Sequence, residues 1–135
     1  MSTKTLFSGG LALIGSAATF LFGGMDNLFS TVLFFIVSDC VTGVVSALYH
    51  EELNSGKMKR GLIRKTYELV IIVVCVRLDK LTGNTFFRTF GCYYFIAMEG
   101  LSILENVGKF LELPQFLVKF LEQLKESANN GDSKR

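Results

Sequence analysis

The sequence predicts an all-α membrane protein with about four transmembrane helices, the third of them short, followed by an amphipathic helix on the cytoplasmic side. Two observations lead there. The first is how charge is distributed. Half of the 135 residues are hydrophobic and 19% are charged, which a soluble domain with a rich core would also satisfy. The charges, however, are confined: Thr5 to Met25 holds no charged side chain, and Leu28 to Tyr49 holds one, Asp39. A nearly uncharged apolar run of about 18 residues or more is what a helix needs to cross about 30 Å of hydrocarbon. The second observation is that basic residues gather between the second and third apolar stretches and again after Gly108, as the positive-inside rule expects of cytoplasmic segments.

The first span covers about residues 6–24. Ser8, Ala12, Gly15 and Thr19 fall on one helical face, and Leu11, Ile14, Ala18 and Leu21 on another. Small-residue faces let helices approach closely in lipid. Ser16-Ala17-Ala18 has the look of a signal-peptide cleavage site, but the apolar run continues through Phe20, Leu21 and Phe22 into a second span. Met25-Asp26-Asn27 makes a short turn in which Asp or Asn caps the second span, at about 28–49, so the first two spans form a helical hairpin.

Residues 50–65 read as a cytoplasmic loop, with five basic side chains (Lys57, Lys59, Arg60, Arg64 and Lys65) and with Gly56 and Gly61 as breakers. The third span, 66–81, is weaker: Glu68 stands near its start, and Arg77, Asp79 and Lys80 near its end. At 1.5 Å per residue it reaches only about 24 Å, so it crosses by snorkelling or local thinning; otherwise the chain has three spans. Arg77, Asp79 and Lys80 suit an interfacial anchor. Thr82-Gly83-Asn84-Thr85 is a turn, and a fourth span follows at 86–107, interrupted by Arg88 and Glu99.

Four crossings place both termini beside the basic loop. Lys4, the five loop residues, Lys109, Lys119, Lys125, Lys134 and Arg135 then share the cytoplasmic side, and the two outer turns hold no Lys or Arg. Residues 1–108 thus form the transmembrane region. Over 109–126, Leu113, Phe116, Leu117, Phe120, Leu121 and Leu124 recur at helical spacing, with Pro114 suited to a first turn. Such a helix can pack on the bundle, on a sister subunit or on the membrane surface. The final residues, 127–135, read as a disordered tail.

The residues that invite chemistry lie inside the spans. A carboxylate at mid-membrane costs ~2.5–3.5 kcal/mol even on the lenient insertion scale, so Asp39 must be offset. Asp39, Thr42, Gly43, Ser46 and His50 share one helical side, while Val41, Val44, Val45 and Leu48 populate the other. Either that side meets partner helices or a water-filled lumen, or a protonated Asp39 is hydrogen-bonded within a packed bundle. Arg88, Cys92, Phe95, Glu99, Ser102 and Asn106 repeat the pattern in the fourth span. Glu99 can pair with a cation or hydroxyl on another helix, line a pore, or carry protons.

Other classes are poorly served. A net charge of +2 without basic-aromatic runs argues against nucleic acid. Cys40, Cys75 and Cys92 are far apart, with one histidine in the chain, so neither a metal nor a redox cofactor is expected. No phosphate-binding loop, HExxH motif or Ser-His-Asp arrangement is evident, and no enzymatic activity is expected.

Several segments resemble the toxin-secretion/phage-lysis holin family, the clostridial phage type included: FLFGGMDNLF, SDCVTGVVSAL, GLIRKTYELVIIVV, LDKLTG and FIAMEGLSILENVGKFLELPQFL, in family order from Phe20 to Leu124. EGLSILEN is the most specific; D-x-x-T-G alone is a weak signature. Cys40 stands where the family usually has an aromatic or aliphatic residue, a departure that touches packing. The resemblance implies a protein of the bacterial cytoplasmic membrane that associates with itself into lesions through which an endolysin, or a toxin lacking a signal peptide, leaves the cell. The residues alone leave two alternatives: a small ion or proton transporter using Asp39 and Glu99, although the inverted repeats and broken helices usual in transporters are absent, and a non-conducting, antiholin-like subunit. Met25 is a possible start for a shorter product.

Overall fold

A computed structural model describes residues 2–120, 122 and 123, and everything said of structure below concerns those residues. They form four helices, α1 (Thr3–Phe22), α2 (Asn27–Tyr49), α3 (Ser55–Thr82) and α4 (Phe86–Gly108), with no strand. Residues 115–120 are also helical. The amphipathic stretch expected over 109–126 runs past the described residues, and the tail at 127–135 lies outside them.

α1 and α2, of 20 and 23 residues, are each long and apolar enough to cross a membrane. At 1.5 Å per residue they extend about 30 and 35 Å. The turn between them is as tight as expected: Gly23 closes α1 at φ 74°, a left-handed conformation suited to glycine, and Asp26 caps α2 by accepting a hydrogen bond from the Phe29 amide at 2.9 Å. The packed neighbour of α1 is nevertheless α3. Phe20 lies under the Arg77 guanidinium and the Lys80 ammonium, 4.5 and 4.7 Å from its ring centroid, a favourable placement over an aromatic face. None of the α1 residues is buried.

α3 departs furthest from the sequence reading. It starts at Ser55, so the basic stretch expected as a loop forms its first turns, and only residues 50–54 link it to α2. The reason is local. The Asn54 side chain accepts hydrogen bonds from the amides of Gly56 and Lys57, at 2.8 and 3.2 Å, and Lys, Arg, Met and Leu are strong helix formers. Gly56 and Gly61 each weaken the helix by only about 1 kcal/mol relative to Ala. With 28 residues, α3 is about 42 Å long, but the added turns carry Lys57, Lys59, Arg60, Arg64 and Lys65, so its apolar part is no longer than 66–81. At its other end Asp79 is buried, and its carboxylate accepts from the Phe87 and Arg88 amides, both at 2.8 Å. One side chain thus caps α4 from the end of α3. Asp79 is a fixed element of the α3–α4 turn, whereas Arg77 and Lys80 are the exposed pair that holds Phe20.

α4 is the helix along which α2 and α3 both pack. Two glycines allow this: a methyl group at Gly91 would lie 3.2 Å from Cys75 Sγ of α3, and one at Gly100 would lie 3.2 Å from Phe35 of α2. The core comprises Phe29, Val32 and Ile36 of α2, Ile72 of α3, and Cys92 and Phe95 of α4. Each helix continues this apolar stripe, at three- and four-residue steps, into charge. The buried positions are Asp39 and Ser46 on α2, Lys65, Glu68 and Asp79 on α3, and Glu99 on α4. Outside, Phe34, Val37, Val41, Tyr67, Val70, Val74, Phe90 and Tyr93 are exposed.

Candidate functional site

A single ammonium group joins the three packed helices. Lys65 of α3 donates to Asp39 of α2 at 2.7 Å and to Glu99 of α4. All three residues are buried, Glu99 to 1% exposure. Asn106 of α4 closes the other side of Asp39: its amide lies 3.3 Å from Asp39 Oδ1 and 3.3 Å from the Thr42 hydroxyl. Thr42 in turn donates to the Asp39 carbonyl at 3.1 Å. Ser102 is beside Asp39. The polar face of α2 and that of α4, inferred separately from spacing, therefore face each other.

Arg64 adds a second, looser cation. Its guanidinium stands 3.4 Å from Glu68, 3.6 Å from Glu99 and 3.7 Å from Asp39, with 59% of its side chain exposed. Three carboxyl groups (Asp39, Glu68, Glu99) thus meet two cations, and Glu68 Oε2 is buried with no hydrogen-bond partner. Taking charges out of water costs several kcal/mol per ion even after relaxation, which only close pairing offsets. The cluster is well paired at Asp39 and under-supplied with positive charge at Glu68.

Arg88 does not join this cluster. It sits at the first turn of α4 and reaches back to the α1–α2 turn, bonding both Asp26 oxygens (2.7 and 2.9 Å), the Phe22 carbonyl (2.6 Å) and the Gly24 carbonyl (3.1 Å). A guanidinium on the last carbonyl of α1 satisfies an acceptor that a helix end leaves open, and its planar fork suits a bidentate carboxylate. Hydrogen bonding from Arg88, helped by the Phe29 amide and only partly opposed by burial, draws the Asp26 carboxyl from its ordinary 3.8 to about 2. Because the bonded state has the depressed value, this latch is complete above about pH 4 and is lost as pH falls through about 2. A nitroxide at Ser8 is therefore expected to gain mobility over that window in the native chain and to be mobile throughout in Asp26→Asn. A flat trace in the native chain would show that the carboxylate does not hold α1.

Gly43 and Ser46 complete the set. A methyl group at Gly43 would lie 3.6 Å from the Asn106 amide, and Ser46 is buried, its carbonyl 2.9 Å from His50 Nδ1. Of the basic residues, Lys57, Lys59 and Arg60 are exposed, whereas Arg64 and Lys65 belong to the cluster. The sequence alone places Lys65 in the cytoplasmic loop and does not connect it to Asp39. The available signal was that Lys65, Glu68, Ile72, Val76 and Asp79 recur at helical steps, which extends the third helix back through Lys65 with the charges on its inner face.

The described residues thus define an all-helical bundle with an apolar exterior, a buried ionic cluster and two helices able to cross a membrane. Residues 16–126 match the bacteriophage holin family, and the chain belongs to that family. An uncharacterised protein of Clostridium acetobutylicum is 37% identical over 118 residues, covering 85% of this chain and 94% of the relative. The 14.9 kDa protein of the nagH 3′ region in Clostridium perfringens is 38% identical over 118 residues, with coverages of 85% and 89%. A protein of Bacillus phage phi105 named "Probable holin" is 29% identical over 121 residues, 88% of each chain. No solved structure matches the chain.

Proposed function

We propose that this chain is a non-enzymatic holin, which associates with itself in the bacterial cytoplasmic membrane to form lesions that release an endolysin or a toxin without a signal peptide. Family membership sets the class. The single observation that carries the reading further is the cluster at Lys65: a bundle with a lipid-facing exterior holds three acids and one lysine at its centre, with Arg64 at the edge, where neither hydrocarbon nor an ordinary apolar core would place them.

In this reading all four helices cross and both termini are cytoplasmic. The turns at Asp26 and Gly83 lie outside, and the Ser55 end of α3 projects inward. Asp39 and Glu99 are then about 18–20 Å below the outer ends of α2 and α4, in the inner half of a hydrocarbon layer of about 30 Å. Thr42, Gly43, Ser46, Ser102 and Asn106 extend the polar seam towards the cytoplasm. In the closed bundle the seam is satisfied internally; in an assembly it is the face turned to neighbouring helices or water. The small residues of α1, with open space above Gly9, Gly10 and Gly15, suit close contact between subunits.

Induced expression in a bacterium tests this. Respiration should stop abruptly after a period of harmless accumulation, and a co-expressed endolysin should reach the cell wall. Normal growth at high membrane levels would remove the proposal. Asp39→Asn and Glu99→Gln should alter the timing without preventing insertion. The unpaired Glu68 oxygen gives one reason to retain a proton or cation relay through Asp39 and Glu99 as the second reading; it requires ion flux without protein release.

A further inference from the structure

The region between α2 and the first turns of α3 encloses a cleft of about 810 Å³ that the ionic cluster borders but does not fill. Ser102 and Asn106 of α4 line it at depth, and Val44, Ala47, Met58 and Leu62 supply apolar wall. Val44, Met58 and Leu62 are themselves exposed, so the wall runs on into the apolar exterior of the bundle. Gly61 adds room, since nothing lies within 4 Å of where its Cβ would stand.

The charges of the cleft are unevenly engaged. Asp39 and Lys65 are bonded to each other at 2.7 Å, and Arg64 is held by acids on three helices. Lys57, Lys59 and Lys109 also line the cleft, yet none of the three makes an ion pair among the described residues. Glu52 is the one acid besides Asp39 in the lining. An apolar slot that opens sideways, with three uncommitted ammonium groups, is complementary to an amphiphile with an anionic head.

We propose that this cleft binds one anionic phospholipid, its phosphate held by Lys57, Lys59 and Lys109 and an acyl chain lying between α2 and α3. A basic pocket between helices at the cytoplasmic side is the physical form such recognition takes. A free phosphate would satisfy the lysines but leave the apolar wall wet, and an apolar helix from a second copy would cover the wall but leave the lysines unmatched. The inference rests on the proposed topology, which brings the Lys57 end of α3 to headgroup level.

The test is native mass spectrometry of the full chain in mild detergent, titrated with phosphatidylglycerol or phosphatidylcholine. One phosphatidylglycerol per chain should be retained, with at least a tenfold preference over phosphatidylcholine. The triple variant Lys57→Gln, Lys59→Gln, Lys109→Gln should lose that preference. Gly61→Leu, which fills the slot and keeps every charge, should also lose retention, and Glu52→Gln should strengthen it, which keeps the test decisive if one variant folds poorly. Equal retention of both lipids, displacement by glycerol phosphate at matched concentration, or a Gly61→Cys disulfide between copies in a bilayer would each overturn the proposal. Solute release from vesicles holding the same preparation separates the two readings: retention without release removes the lesion and keeps the lipid site, and release without retention removes only the site.

Discussion

Lys65→Met should be the most damaging single substitution in this chain, lowering bundle stability by roughly 3–5 kcal/mol, the range expected when one partner of a buried ion pair is removed. The size of the effect comes from what stays behind. Asp39 and Glu99 each lose their closest cation, and Arg64, at 3.6–3.7 Å and more than half exposed, is too distant and too solvated to replace it. Unfolding in detergent should therefore shift to markedly lower denaturant for Lys65→Met. The triple variant Lys65→Met, Asp39→Asn, Glu99→Gln should recover most of the loss, because neutral groups of similar shape carry no unpaired charge. Glu68→Gln should behave oppositely to Lys65→Met and be neutral or stabilising, since it removes a carboxylate whose Oε2 is buried without a hydrogen-bond partner and whose cation, Arg64, is largely exposed. Equal stability of Lys65→Met and the native chain would mean that the ammonium does not join the helices.

Arg88→Gln is the second large effect, expected to cost about 2 kcal/mol, a value that allows for charge-assisted bonds and for screening of an Asp26 side chain that is half exposed. Its consequence is local. α1 has no buried residue, and Arg88 supplies bonds to Phe22, Gly24 and Asp26 at once. Without it, α1 retains the stacking of Phe22 on Phe29, at 4.5 Å between centroids, and the Arg77 and Lys80 contacts to Phe20. Protease access at the α1–α2 turn should rise in Arg88→Gln while the α2–α4 core remains protected. Arg88→Lys should rescue only in part, because an ammonium cannot reproduce the bidentate fork. Protection of the turn unchanged from the native chain would show that α1 is held by something other than Arg88.

Much of this arrangement was legible before the structure. Absence of charge marks α1 and α2, the 25–27 turn offers Asp or Asn as a cap, and three- and four-residue spacing places Asp39, Thr42, Gly43, Ser46 and His50 on one face and Arg88, Cys92, Phe95, Glu99, Ser102 and Asn106 on another, of which Arg88 instead reaches the α1–α2 turn. Two things were not legible, for different physical reasons. The start of α3 was obscured because Gly56 and Gly61 look like breakers, whereas an Asn54 cap and strong helix formers outweigh two glycines. The partners of the buried groups were hidden because they are tertiary. Asp39 and Lys65 stand 26 positions apart, Asp26 and Arg88 62; helical periodicity says which side chains turn inward, not which of them meet. Grouping every basic residue of 50–65 with the cytoplasmic charge also concealed that Lys65 and Arg64 serve the bundle.

The ionic cluster gains its proposed meaning from a lesion wide enough for a folded protein. The most direct measurement is release from liposomes containing the purified chain, loaded with solutes graded from a small dye to a protein the size of an endolysin. Release of the protein-sized solute together with the dye is the expected result, and Lys65→Met should change its onset. Leakage confined to ions or to the small dye, at protein densities that assemble fully, would contradict the holin reading and leave a channel or relay through Asp39 and Glu99 in its place.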